Sequence, residues 1–273
     1  MKNLICPICR NNTDIRTFCN LTAYSCSRCL HAWRPEPWSQ TGQNEHFKQA
    51  HYTKTESMKS IYNTTSKLFA EFEKIASGQI VDITKTMLDF GCSYGYCMDV
   101  FKTKGWEVIG VEISPSAQEI LNAKKLPWIA DVEKSAIQKN SIDCIVIADS
   151  IYYVQEPVKL LLTLKNYLKE SGMILLRQPT RAGFAGLINS VGGSPRIIQR
   201  LWCDHIHMFS RKSTQLALLE AGFSNINMQQ DSFLNRACKG KCVHGALRTA
   251  DIITAGRFDL TLAWIVSANL KTF

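Results

Sequence analysis

The sequence predicts an α/β fold: a doubly wound, mostly parallel sheet preceded by a small cysteine-rich unit. Three observations carry this. Apolar strand-like runs alternate with helical segments from residue 57 onward, the pattern of a parallel sheet covered on both faces. The run Met87-Leu88-Asp89-Phe90 enters the glycine turn Gly91-Cys92-Ser93-Tyr94-Gly95, where backbone can approach a bound ligand closely. Two C-x2-C pairs stand within the first 29 residues, ahead of all those runs.

Residues 1–38 hold Cys6-Pro7-Ile8-Cys9 and Cys26-Ser27-Arg28-Cys29, with 16 residues between the pairs. That spacing reads as a zinc ribbon. Each pair presents two thiolates at one turn, and two pairs complete the tetrahedral sulfur site that Zn2+ prefers. Redox dithiols would need a thioredoxin-like βαβ context, which is absent. A piece of about 38 residues has too little core to fold by burial alone, so the metal supplies its stability. Four cysteines leave no open coordination position, which makes this zinc structural. Cys19 and His31 are spare candidates outside the paired spacing.

Pro35 and Pro37 stop regular structure, and a polar connector covers 39–56. From Ser57 to Ala76, Met58, Ile61, Tyr62, Leu68, Phe69, Phe72 and Ile75 recur at helical spacing. The larger domain, 57–273, follows. Its first strand is Met87 to Gly91, then a helix from Gly95 to Lys104 and a second strand from Glu107 to Glu112. Ser114-Pro115 opens the next helix with N-cap and N1 chemistry. A short strand at Trp128-Ile129-Ala130 ends at Asp131, and Ile142 to Ala148 is a continuous apolar run suited to the middle of a sheet. Pro157 to Lys169 is helical and Gly172 to Gln178 is the fifth strand. A lid covers about 181–202, and a helix from Arg211 to Ala221 ends at Gly222. Phe223 to Met228 and Asp259 to Ser267 are the last strands.

Composition sets the remaining bounds. The 273 residues suffice for one full α/β domain and a small appendage, and 45% apolar content is ordinary for a globular protein. The net charge of +9 allows an anionic partner, but Lys and Arg are scattered and form no run. The N-terminal residues lack the apolar core of a signal peptide, and no stretch reaches the ~18 apolar residues of a membrane span. Eleven cysteines without an export signal point to a reducing compartment, so the expected location is the cytoplasm.

The glycine turn decides the ligand. A dinucleotide fold wants G-x-G-x-x-G, whereas Ser93 stands at the second glycine position and Met98 at the third. Asp89 puts a carboxylate where a pyrophosphate would sit, which suits a ligand with an ammonium group and no phosphates. The D-x-G-x-S-x-G pattern, with Glu112 closing the next strand, resembles the first motifs of class I S-adenosylmethionine (SAM) methyltransferases. The resemblance covers residue 57 to the C-terminus and implies a seven-stranded Rossmann-like methyltransferase sheet whose last strand inserts antiparallel. It also implies that Gly91, Cys92, Ser93 and Gly95 pack on the methionine part of SAM and that Asp89 faces its ammonium group directly or through water. Glu112 would accept both ribose hydroxyls beside Ile113, Asp131 would take the adenine amino group beside Val132, and Ala148, Asp149 and Ser150 would line the sulfonium end.

Methyl transfer from a sulfonium mainly needs an aligned acceptor and, for oxygen or carbon acceptors, a base. Asp204-His205-Ile206-His207-Met208-Phe209-Ser210 resembles the H-x-x-x-F-S/T segment of small-molecule O-methyltransferases, with His207, or failing that His205, as the base. Tyr152 and Tyr153 are candidates to shape the acceptor pocket and Tyr52 to reach over the cofactor, while Cys238 and Cys242 are read as solvated surface or incidental thiols rather than a second metal loop. Cys26 to Pro37 resembles the ribbon of a family of bacterial small-molecule methyltransferases, patterned C-x-x-C-G-L-x-F, although Leu30 stands at the glycine. These resemblances imply a small-molecule acceptor, anionic or carrier-linked, such as a sugar or biosynthetic intermediate methylated on oxygen or carbon. RNA is the rival acceptor, since certain ribosomal RNA guanine methyltransferases share the domain order. The fourth strand, however, ends in Ala148-Asp149-Ser150-Ile151-Tyr152 without an Asn/Asp-Pro-Pro-Tyr motif. A non-catalytic binding module is the alternative of another class.

Overall fold

The computed structural model describes residues 4–12, 15–17, 23–34, 55–192, 194–202, 205–231, 249 and 263–270. Tyr52, Cys238 and Cys242 lie outside these residues, as do most of the connector and the first four residues of the expected last strand. The strands are β1 (Ile15–Thr17), β2 (Tyr24–Cys26), β3 (Ala32–Trp33), β4 (Thr86–Phe90), β5 (Glu107–Val111), β6 (Trp128–Ile129), β7 (Ile142–Ala148), β8 (Leu168–Pro179), β9 (His207–Met208), β10 (Phe223–Gln230) and β11 (Ala263–Leu270). The helices are α1 (Thr55–Gln79), α2 (Tyr96–Thr103), α3 (Pro115–Ala123), α4 (Pro157–Lys165), α5 (Ala182–Ser190), α6 (Pro195–Trp202) and α7 (Arg211–Glu220). None of the described helices is long and apolar enough to cross a membrane.

Seven strands form one mixed sheet in the order β10-β11-β8-β7-β4-β5-β6. Around the glycine turn it is parallel: β4 pairs with β5 and with β7, and β5 pairs with β6. This is the expected Rossmann-like methyltransferase sheet. β7 is apolar apart from Asp143 and central, with Cys144, Ile145, Val146 and Ile147 all fully buried. The buried Asp143 carboxylate takes the Thr86 amide at 2.9 Å and the Lys169 ammonium at 2.7 Å. The helix expected to reach Lys169 ends earlier, because Asn166 and Tyr167 donate back to Thr163 and Leu164 and close the last turn. Leu168 then begins β8.

The residues cluster into two compact units. One contains Met1–Pro37, Ile151–Leu162 and Arg177–Val266; the other contains Trp38–Ser150, Thr163–Leu176 and Ser267–Phe273. The ribbon therefore does not cluster by itself at the boundary near residue 38. Its strands β1, β2 and β3 form a four-stranded sheet completed by β9, with Ala32 opposite Met208 and Trp33 opposite His207. The expected lid is two helices, α5 and α6. Ala182, Ala185, Ile198 and Trp202 of these helices share a buried cluster with Ala23, Ala32 and Met208.

In the second unit α1 carries Phe72 and Ala76 into the core. Phe101 of α2 stands edge-on to Trp106, whose indole donates to Glu73 of α1 at 3.3 Å.

Candidate active site

The β4 turn is left-handed at three positions: Gly91 (φ 76°), Ser93 (φ 50°) and Gly95 (φ 74°). Only Ser93 carries a side chain there, and its amide is held by Glu112 at 2.8 Å. At Gly91 a Cβ would fall 2.7 Å from that of Ser150, so the glycine is also required by a close approach. Ser150 itself donates to the Phe90 carbonyl at 2.8 Å, which locks the end of β7 against the end of β4. Asp149, just before it, is left-handed at φ 57° and closes Ala148–Ser150 into a tight corner.

Glu112 follows β5 and is buried. One carboxylate oxygen takes the Ser93 amide and the other takes the Ser114 amide at 2.7 Å. Each oxygen has two lone pairs and takes one of these amides, so each keeps capacity for one more donor, which fits two ribose hydroxyls. Burial still raises its pKa against the lowering effect of those amides. Asp89 lies deeper. Burial, and then the neighbouring Glu112 charge, push its carboxyl up to about 8. Two buried carboxyls converging on one glycine turn form a site that an incoming cation would stabilise.

Cys92 is buried beside the turn and its amide donates to Val111. A Cβ at Gly110 would fall 2.4 Å from its sulfur. Gly110 is the residue sequence reasoning missed, although a glycine inside an apolar strand signals such close approach. Ile113 is partly exposed, and Val132 is buried with its carbonyl taking the Tyr167 hydroxyl at 3.1 Å. Asp131 follows β6. Its carboxylate takes the Glu133 amide at 3.0 Å and faces Lys134 at 3.4 Å, so it is already engaged locally.

In the other unit the four cysteine sulfurs of Cys6, Cys9, Cys26 and Cys29 lie within 4.8 Å of one another, a set able to hold a metal ion. Two of the separations, Cys6–Cys29 and Cys9–Cys26, are 3.6 Å. The two knuckles share one hydrogen-bond scheme: Arg10 donates to Cys6 O and Leu30 to Cys26 O. Each ends in a left-handed residue, Arg10 (φ 55°) and Leu30 (φ 58°). Leu30 thus occupies the conformation that the glycine of the ribbon pattern would adopt without strain.

His205 and His207 are both buried. His205 stacks on Tyr152 with ring centroids 3.8 Å apart, and Tyr153 meets it edge-on. His207 has both ring nitrogens engaged. Nδ1 lies 3.0 Å from His31 Nε2, and Nε2 lies 3.2 Å from the Gln155 carbonyl. Burial pulls the His207 pKa down to about 4, so the ring is neutral at pH 7. His31, weighed in the sequence only as a spare metal ligand, is fully buried and turned to His207.

Residues 42–227 match the family described as a methyltransferase domain. The chain belongs to this family. Its sheet is that of the class I SAM-dependent methyltransferases. The plantazolicin methyltransferase BpumL, solved with S-adenosylhomocysteine (SAH), is similar at TM-score 0.53 and 16% identity, over 84% of this chain and 96% of that one. A chain from the Haloferax volcanii complex of the Trm112 methyltransferase activator with a methyltransferase is similar at TM-score 0.55 and 15% identity, over 80% and 93%. A SAM-dependent methyltransferase from Archaeoglobus fulgidus is similar at TM-score 0.51 and 15% identity, over 75% and 94%. No curated protein matches this methyltransferase in sequence.

Proposed function

We propose that this methyltransferase transfers the SAM methyl group to a small molecule, on oxygen or carbon, in the cytoplasm. The observation that carries the SAM assignment is the pair of buried carboxyls, Asp89 and Glu112, on the left-handed turn Gly91–Gly95. SAM would supply a methyl already activated on a sulfonium. Asp89 balances the ammonium group and the spare lone pairs of Glu112 take the ribose hydroxyls. Asp131 and Val132 take the adenine, and Ala148, Asp149 and Ser150 form the sulfonium end. Cys92 and Ile113 contribute walls on the two sides of the turn.

Where the acceptor must lose a proton, we assign the base to His205. His207 has no nitrogen left for that task, since both are engaged. The Tyr152–His205 stack and the absence of a Pro-Pro-Tyr motif after β7 support a small acceptor over an RNA base.

The cysteine cluster takes structural Zn2+. A tetrahedron with Zn–S of about 2.3 Å places its sulfurs about 3.8 Å apart, close to the separations present. With four thiolates no position is open to substrate.

The test is transfer of tritium from methyl-labelled SAM to fractionated metabolites and to total RNA. Label in the small-molecule fraction supports the reading, and label in RNA alone overturns it. Failure of SAM to bind in a calorimetric titration would leave only a non-catalytic module.

A further inference from the structure

The ribbon does more than fold around a metal. Its last strand, β3, is continued by β9, the strand that carries His207, and the face holding Ala23 and Ala32 is covered by α5 and α6. Three further bonds tie ribbon residues to the same segment. Ser210, the N-cap of α7, donates its hydroxyl to the carbonyl of the metal-site residue Cys29 at 2.6 Å. Arg34 N donates to Ile206 O at 3.0 Å. The third is the His31–His207 contact.

The chemistry of that contact sets its direction. A carbonyl only accepts, so the His207 nitrogen facing Gln155 O carries the proton. In a neutral ring the other nitrogen, Nδ1, is then a bare acceptor. His31 Nε2 therefore donates to it, and His31 Nδ1 is left as a buried lone pair with no partner among the described residues. The result is a directed chain, His31 to His207 to Gln155 O. It ends in the Ile151–Gln155 turn, to which the same segment is also bonded through Ile206 N and Tyr152 O at 3.1 Å. That turn carries Tyr152, the ring stacked on His205.

We infer that His31 is a positioning residue: through His207 the zinc ribbon holds the Ile151–Gln155 turn and the His205–Phe209 segment in register, so the ribbon is a built-in support of the acceptor side of the enzyme. The inference rests on the proposed function only for the words acceptor side. A ribbon serving to dock an external partner would not need a buried histidine pair, and its β3 edge is already filled by β9. Removing the metal loosens the segment even though no zinc atom enters the chemistry.

The experiment compares the zinc-loaded full chain with His31→Ala, which cannot donate, and His31→Gln, whose amide can. Hydrogen exchange is read at the amides of Ile206, Arg34 and Ala182, which bond to Tyr152 O, Ile206 O and Phe209 O. His31→Ala should speed these by about 10-fold, as expected for one buried hydrogen bond, with zinc still at one per chain and β4 and β7 amides unchanged. His31→Gln should restore most of the protection. Wild-type rates in His31→Ala, or equal rates in the two variants, overturn the inference. Should His31→Ala not fold, nitrogen NMR of the wild-type His207 ring decides. The inference requires a protonated Nε2 and a bare Nδ1, and the other tautomer or an imidazolium overturns it. Neither readout needs an acceptor or turnover, so this inference and the proposed function fail separately.

Discussion

With Asp89 placed against the ammonium group of SAM, as proposed, SAM binding is expected to be a proton-coupled event. Its carboxyl is fully enclosed, and burial together with the Glu112 charge raises it to about 8. In the free protein roughly a tenth of the molecules carry an ionised Asp89 at pH 7, and about a hundredth at pH 6. The ammonium group of SAM calls for the carboxylate, so binding should expel the proton. At pH 7 about 0.9 proton per SAM is released, and the dissociation constant should rise about tenfold between pH 7 and pH 6. The amino group of the ligand stays charged over that interval. Calorimetry with SAH, which keeps the ammonium group and cannot react, measures both quantities in buffers of different ionisation enthalpy. Asp89→Asn should abolish the release and flatten the pH dependence, which separates Asp89 from Glu112, also raised by burial. Release below about 0.2 proton at pH 7, or one affinity at pH 6 and 7, would refute the argument that Asp89 faces the ammonium group.

Three further outcomes follow from the same geometry. Glu112→Ala should weaken SAH by about 1.5–3 kcal/mol and also lower Tm, because the Ser93 and Ser114 amides lose their acceptor; unchanged affinity by calorimetry would sink the ribose assignment. Leu30→Gly should stabilise the ribbon by about 1 kcal/mol, since Leu30 is left-handed and 39% exposed, so strain is relieved with little burial lost; a faster zinc loss to chelator than wild type would count against it. His207, depressed to about 4, stays neutral in the folded chain while the unfolded chain takes up its proton near 6.5, so stability falls as pH drops through that window, by up to roughly 3 kcal/mol. Asp89, raised in the fold, pulls the other way, so the measurement is the difference between urea midpoints of wild type and His207→Gln from pH 7 to 5. No difference in slope would contradict the burial argument.

Much of the enzyme can be read from local pattern. Strand β7 announces itself because a central strand buried on both faces must be an apolar run. The turn from Gly91 to Gly95 is legible because left-handed backbone without a Cβ is a property of residue type, and Glu112 because it closes the next strand. The cysteine pairs are legible because metal geometry dictates their spacing.

What local pattern could not reach depends on who meets whom across the chain. β3 and β9 are two residues each, too short to show a period, and their pairing brings together His31 and His207, 176 positions apart. Both histidines invited chemical readings, as metal ligand or base, because neither has the other in its own stretch of sequence. Only the tertiary register turns them toward each other and fills both nitrogens of His207. Glu112 shows the same limit more mildly: its distance from the glycine turn and its bond to Ser114 are local, but its bond to Ser93 exists only once β5 lies beside β4. Sequence alone thus determined the class of fold, the left-handed glycine turn and the two cysteine pairs. Tertiary structure alone decided that the ribbon's edge is filled by the segment carrying His205 and His207, because a hydrogen bond is set by the final positions of two groups and not by either group's neighbours in the chain.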